Sequence, residues 1–394
     1  WRGLRFYYDG AFRGPNEISY AVIEYGGSLG ASVSTDNATV AIDHTLIRAG
    51  SGDGIHGYAG GGASVLDTTI EDHYGYALYF IDPQVDPVLG GLQATGNGHN
   101  VIGLVGGGSS IGGDVTWENA GLPYQILGTG FSVAAGETLT IEAGVTLRFT
   151  QFSTLYVAGR LIALGTPEQP ITFSATSPTP GYWMGLNIIG SFVSPAMAVI
   201  SHAILEYGGS GPSGGNLRVE NARVSVQYSR IQHGAAYGVH VSASGVPVIS
   251  YSQITDNALG GVKNLMTAIQ VNALHNWWGD PSGPYHPTTN PGGLGNSVSD
   301  NVLYDPWLTN ALDAGPEAEN QVGLQVEVIG RSNFAPGSRQ TYAIAYRNNT
   351  FSTINNAVLV AFLPDFADYV ANEGNGYFWF NRNQVYWRLG NLLP

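Results

Sequence analysis

The chain reads as a succession of short apolar alternations, three to five residues long, set between clusters of Gly, Asn, Asp and Ser. Val40-Ala-Ile42, Leu46-Ile47, Val224-Ser-Val226 and Val239-His-Val241 are typical. Period-2 patterning puts alternate side chains on one side of an extended strand, and the intervening residue types are those that make tight corners. Helical spacing is nearly absent, and so are long runs of helix formers. Short strands joined by corners are therefore predicted for most of the chain.

The strands repeat. Ile23, Ile47 and Ile70 stand 24 and 23 residues apart, and Leu205, Ile231 and Ile254 stand 26 and 23 apart. Such a period favours a solenoid over a sandwich. Each winding then lies about 4.8 Å above the last, and equivalent apolar residues are expected to stack inward, with Gly and Asn supplying corners of positive φ. A leucine-rich repeat has a similar period, but its Leu/Asn pattern is missing. A longer repeat is superimposed. Trp1-Arg-Gly-Leu4 returns as Trp183-Met-Gly-Leu186, and Ile18-Ser-Tyr-Ala-Val-Ile-Glu-Tyr-Gly-Gly-Ser28 as Ile200-Ser-His-Ala-Ile-Leu-Glu-Tyr-Gly-Gly-Ser210, both at an offset of 182. The offset then becomes 184, where Gly54-Ile-His56 aligns with Gly238-Val-His240 and Ile70-Glu-Asp72 with Ile254-Thr-Asp256. Two related modules are expected in tandem, 1–130 and 131–312. Within 136–174 the strands crowd together, and Ile141, Val157 and Phe173 recur every 16 residues, which predicts narrow windings that widen later in the module.

Composition narrows the classes. With 43% hydrophobic and only 11% charged residues, the chain is neither a coiled coil nor disordered. The absence of cysteine removes disulfides, iron–sulfur clusters and Cys-ligated zinc. The net charge is −14, with 15 basic against 29 acidic residues and a single lysine, Lys263. Nucleic acid, which needs a basic stripe, is not expected as a partner, and no apolar run is long enough to predict a membrane span. The chain opens at Trp1 without an initiating Met or signal peptide, so a processed or partial product is expected, with the upstream windings in a longer precursor or another chain.

Gly136-Glu-Thr-Leu-Thr-Ile-Glu-Ala-Gly144, Leu155-Tyr-Val-Ala-Gly-Arg-Leu-Ile-Ala-Leu-Gly-Thr166, Pro170-Ile-Thr-Phe173 and Trp183-Met-Gly-Leu186 together resemble the opening of bacterial right-handed parallel β-helix repeat proteins. Asn276-Trp-Trp-Gly-Asp-Pro-Ser-Gly-Pro284, followed by Val298-Ser-Asp-Asn301 and Asp305-Pro-Trp307, is similar to the segment that closes such arrays. The resemblance covers roughly residues 1–310 and is specific for fold, less so for function. It implies that Asn276, Trp277 and Trp278, within a cap segment 276–310, cover the open end of the last winding. After a linker at 313–319, Val322-Gly-Leu-Gln-Val-Glu-Val328, Thr341-Tyr-Ala-Ile-Ala-Tyr346 and Ala357-Val-Leu-Val-Ala-Phe362 alternate cleanly, predicting an antiparallel sandwich. The run from Pro336-Gly through Tyr342, Tyr346-Arg-Asn-Asn and Leu363-Pro to Val385-Tyr-Trp-Arg-Leu-Gly390 resembles the immunoglobulin-like repeats of bacterial surface proteins, which implies such a domain over 320–394, short of one or two strands. The expected fold is all-β: a two-module parallel β-helix followed by an immunoglobulin-like sandwich.

Candidate chemistry is sparse. Polysaccharide lyases and hydrolases built on β-helices use acids on one sheet face, and a general acid/base pair needs two carboxylates within about 5–10 Å. Asp72 and Asp256 are module equivalents, beside His73 and Asn257, but one carboxylate per equivalent winding makes no pair. His56 and His240, also equivalents, read as solvent-facing strand residues rather than metal ligands. If the protein were an enzyme, Asp72, His73, Asp256 and His240 would be its catalytic candidates. Calcium-assisted lyase chemistry would want clustered acids and a nearby Lys or Arg base, against which stand the lone Lys263 and the scattered arginines. Asp300 and Asp305 are weak calcium ligands in prospect, and no other cofactor is expected. Gly60-Gly-Gly62 and Gly106-Gly-Gly108 lack the Lys-Ser/Thr of a phosphate loop. Tyr377, Phe378, Trp379 and Phe380 cannot all face one core if extended, so two should be exposed as a possible interface. Asn37-Ala-Thr39 and Asn348-Asn-Thr350 match the glycan-acceptor pattern. The expectation is an extracellular protein of a bacterial cell surface, structural or adhesive, joined to itself or to neighbouring subunits, with a carbohydrate-active enzyme or polysaccharide-binding module as the alternative.

Overall fold

The computed structural model describes residues 1–8, 16–58, 60–81, 87–211, 214–316 and 318, then 324–329, 343–348, 354–363, 369–371, 376–379 and 384–392. It divides into two compact units, 1–318 and 319–394. The first is a parallel β-solenoid of roughly ten windings, with three short strands to a winding. In module one, face one is built from Leu4–Tyr7, Ala31–Asp36, Asp53–Gly57 and Tyr76–Ile81. Face two holds Glu17–Ser19, Thr39–Asp43, Gly62–Leu66 and Leu89–Gly90, and face three Val22–Glu24, Leu46–Arg48, Thr69–Glu71 and Gln93–Thr95. Module two repeats the order, with Leu186–Ile189, Gly215–Glu220, Tyr237–Ser242 and Gly260–Asn264 on face one.

Apolar side chains from successive windings stack in register. Ile23, Ile47 and Ile70 are direct partners and buried, as are Phe173, Leu205, Ile231 and Ile254. Leu155, Leu186, Leu217, Val239 and Val262 make the corresponding column on face one of module two. A parallel ladder leaves each backbone amide paired one winding away, so the solenoid satisfies its interior backbone without helices. Phe149 and Trp183 stack at 4.1 Å and 9° inside module two.

Two features depart from the sequence reading. The 16-residue spacing of Ile141, Val157 and Phe173 does not mark narrow windings. The three residues lie on three different faces, and the windings that reach them are 22–26 residues long, with Leu139 paired to Leu161 and Leu147 to Phe173. The next ones widen as expected, Val157 pairing with Ile188 and Phe173 with Leu205. Three strands per winding, each about eight residues from the next, make every second strand mimic a shorter period. The modules also do not join as simple copies. His99–Ile111 and Tyr124–Val133 are long strands at which the sheet forks: residues 124–126 pair with 147–149, and 130–133 with 154–157. Face one of module one thereby runs on into face three of module two.

The corners adopt positive φ, but aromatic residues carry many of them. His202, Tyr228, Tyr251 and His275 have φ between 45° and 57°, a conformation costing roughly 1–2 kcal/mol for an L-residue. Their rings form a column with centroids 5.2, 5.3 and 5.5 Å apart, so stacking across windings offsets the strain.

The second unit contains two antiparallel sheets. Leu324–Ile329 pairs with Ala343–Asn348, and Gln384–Leu392 lies between Ile354–Phe362 and Tyr377–Trp379. Among the described residues no helix is long and apolar enough to cross a membrane.

Leu205→Ala, which opens a void between Phe173 and Ile231, is expected to cost about 2–5 kcal/mol, whereas Ser225→Ala on the outside of face two should cost less than about 0.5 kcal/mol. Urea unfolding followed by far-ultraviolet circular dichroism distinguishes the two.

Candidate functional site

The enzyme candidates do not converge. Asp72 and Asp256 occupy equivalent corners at φ 57° and 54°, separated by several windings of about 4.8 Å each. No acid/base pair arises from them. His73 points into the solenoid, 2% exposed. Its Nε2 lies 3.0 Å from the Ser32 hydroxyl, and its backbone N–H donates to Asn97 Oδ1. Module two builds the same internal pair from other residues: Asn216 Nδ2 donates to Asn257 Oδ1 at 3.0 Å, and the Asn257 N–H donates to Asn296 Oδ1. Ser32 with His73 in one module thus becomes Asn216 with Asn257 in the other, at the common offset of 184. Between the partners lies Gly50 or Gly234, where a Cβ would run into both side chains.

Asn276 continues an internal hydroxyl ladder. Ser229 Oγ accepts from the Ala203 N–H, Ser252 Oγ from the Ser229 N–H, and Asn276 Oδ1 from the Ser252 N–H. Asn276 Nδ2 also donates to the Ile249 carbonyl, and Asn276 is fully buried. Trp277 bridges to Gln253, and Trp278 is fully buried against Gly261. Beyond them the chain pairs Val298 with Val262 and Val302 with Val271. Asp300 is 89% exposed at its side chain and sits 3.2 Å from His286, and Asp305 is exposed. The group of three metal-capable side chains among the described residues is Asp43, His44 and Asp67, an exposed corner cluster that includes neither Asp300 nor Asp305.

His56 and His240 are the residues that the solvent-facing reading misplaced. Both project outward from face one, since Ile55 and Val239 fill the core, yet they are only 8% and 4% exposed. Neighbouring outward side chains cover them. Around His240 the register forms a row: Tyr156, Asn187, Arg218, His240 and Lys263 stand opposite one another on successive strands. The chain's single lysine therefore lies beside a histidine and an arginine. Burial, and then the Arg218 cation, lowers the His240 pKa. Burial pushes the Glu220 carboxyl up, but hydrogen bonds from Ser242 and Arg218 outweigh it and hold it below the ordinary value. Glu220 thus anchors Arg218 as a fixed cation, while Lys263 has no ion-pair partner among the described residues. The row runs into a shallow depression of about 380 Å³ lined by Tyr156, Met184, Asn187 and Arg218. Sequence reasoning treated these cations as scattered. Their signal was the spacing of 218, 240 and 263, which matches the winding.

In the second unit, Tyr377, Phe378 and Trp379 form an edge strand, and the Phe378 ring stacks on Tyr369 at 4.2 Å. Phe380 lies outside the described residues.

Residues 109–250 match the family model described as a pectate-lyase like beta helix domain, a likeness over roughly a third of the chain that takes in most of module two and the outward row from Tyr156 to His240. Neither the curated proteins nor the solved structures give a match.

Burial lowers the pKa of His73, His202 and His240. Below the ordinary imidazole value of about 6.5, the unfolded chain takes up protons that these rings refuse, so stability is present above that pH and falls as pH drops below it. His73→Asn, which copies Asn257, should fold and lose less stability between pH 7.5 and 5.5 than the parent chain. Thermal unfolding at the two pH values checks this.

Proposed function

We propose that the chain is an extracellular, adhesive β-solenoid that grips an acidic polysaccharide without cleaving it. The observation that supports this reading is the in-register row of Arg218, His240 and Lys263 on the outside of face one, beside a depression with Tyr156 at its edge. In a protein of net charge −14, a fixed arginine and an unpaired lysine on either side of His240 are a local departure from the repulsive background, and charge-assisted contacts to carboxylates suit them. Arg218 and Lys263 stand two windings apart with His240 between them, about 9.6 Å, close to the rise of two sugar units along an extended chain. The carboxylates available to the row are engaged: Glu220 is held by Arg218 and Ser242. A hydrolase needs a free carboxylic acid at the sugar, which Glu220 does not supply while it is held in this way, and the likeness to pectate-lyase-like domains is in keeping with a saccharide-holding surface.

A structural role fits the same molecule. Met197 with Val199, and two windings on Val246 with Val248, are 37–43% exposed on the outside of face two on either side of Arg223 and Ser225, and exposed apolar pairs of this kind support side-by-side association of copies. A bacterial surface location, an immunoglobulin-like identity for the C-terminal unit and an interface around its edge strand belong to this proposal.

Affinity electrophoresis in gels containing polygalacturonate or alginate tests the reading. Retardation should weaken with added salt, and Lys263→Ala should weaken binding about tenfold, near 1.4 kcal/mol. Absorbance at 235 nm and reducing-end assays should stay flat over a day of incubation. Cleavage products would overturn the non-catalytic part, and unretarded migration would overturn the binding part. Light scattering at rising concentration should show association that Val199→Lys reduces.

A further inference from the structure

Face one of module one carries a different surface at the positions equivalent to the cationic row. Ser34 stands where module two has Arg218, Tyr79 where it has Lys263, Tyr76 where it has Gly260, and Asp53 where it has Tyr237. His56 alone matches, as His240. Around it runs a train of five rings: Tyr58 on His56 at 4.0 Å, His56 on Tyr79 at 4.9 Å, Tyr79 on Tyr76 at 5.0 Å, and Tyr76 on His99 at 4.2 Å. These rings lie outside the solenoid, whose core beneath them is already filled by Val33, Ile55 and Leu78. The fold does not need them for its interior.

The train is held in place. Asp53 Oδ2 lies 2.8 Å from His56 Nδ1, and Asp53 Oδ1 accepts the Tyr76 backbone N–H at 2.7 Å. His56 Nε2 is buried and has no hydrogen-bond partner among the described residues. Burial, and then Asp53, raises the pKa of the Tyr79 phenol, so its hydroxyl stays protonated as a donor. Gly103, the next position in the row after Tyr79, adds no side chain over the rings. His99, at one end, is exposed. The cluster therefore offers ring faces and the neutral phenol donors of Tyr76 and Tyr79. The rings surround a carboxylate, and the cation of the same outward row, Arg5, lies two strands from His56 and is paired with Asp36.

We propose that this ring train is a second saccharide site, taking an uncharged pyranose chain whose C–H faces stack on Tyr76, Tyr79 and His99. The central carboxylate and the lack of a free cation disfavour a uronate here, whereas an uncharged sugar satisfies both the ring faces and the hydroxyl-level chemistry. The two modules would then hold two different glycans on one solenoid, the acidic one on module two and the neutral one on module one.

Calorimetric titration of the full chain with cellohexaose, xylohexaose and mannohexaose, with tetragalacturonate as the acidic comparison, tests this. At least one neutral hexaose should bind. His99→Ala, which alters an exposed ring, and Tyr76→Ala, which keeps the backbone N–H that holds Asp53, should each weaken that binding about tenfold and leave tetragalacturonate binding unchanged. Lys263→Ala should do the reverse. The proposal is overturned if none of the three hexaoses binds the parent chain, if both ring variants bind as tightly as the parent with unchanged circular dichroism, or if Lys263→Ala abolishes neutral binding. Loss of tetragalacturonate binding alone would count against the cationic row and leave the ring train standing.

Discussion

Every part of the first unit depends on register between windings. Because one winding lies on the next at about 4.8 Å, a side chain meets its equivalent one period later, and the interior tolerates only groups that pair with that equivalent. Apolar columns such as Ile23, Ile47 and Ile70 satisfy this through contact. Polar groups can satisfy it as ladders, in which each donor finds an acceptor one winding on, as from Ala203 through Ser229 and Ser252 to Asn276. The exchange of Ser32 and His73 for Asn216 and Asn257 shows the rule from another side: both members of an internal polar pair differ between modules, and the bond between them is present in each.

The outside of the same strands obeys no such rule. Outward positions contact equivalents but also solvent, so a row can be ionic in one module and aromatic in the other without disturbing the ladder. His240 and His56 sit at the same place in their modules, yet one lies between Arg218 and Lys263 and the other between tyrosines. The solenoid therefore separates scaffold from chemistry: the inward half of each strand holds the windings together, and the outward half presents rows whose spacing is fixed by the fold. Short, evenly spaced rows suit a polymer with a repeating unit better than a compact ligand, and the depression beside Asn187 and Arg218 is shallow in keeping with that.

Much of the fold was legible because it is local and periodic. The inward isoleucines and the all-strand character follow from spacings that one can count along the chain. The winding length near Ile141 and Phe173 was misread because three strands share a winding and neighbouring faces look alike in sequence. The fork at Tyr124–Val133 was hidden by Gly128 and Gly130, which continue the strand instead of ending it. Aromatic corners such as Tyr228 escaped notice because a left-handed tyrosine is favourable only when another ring stacks on it a winding away. The site was less legible for the same reason. Lys263 seemed alone because its neighbours, 23 and 45 residues earlier in the chain, become adjacent only once the register is known. His73 seemed available for catalysis because nothing local marks its side chain as internal.

The most direct test of this account is hydrogen–deuterium exchange of the full chain, with and without an acidic oligosaccharide. Added ligand should slow exchange in Gly215–Glu220, Tyr237–Ser242 and Gly260–Asn264, the strands that carry the cationic row, and leave Thr39–Asp43 and Gly62–Leu66 of module one unchanged. Protection confined to module one, or the same exchange everywhere with ligand bound, would contradict it.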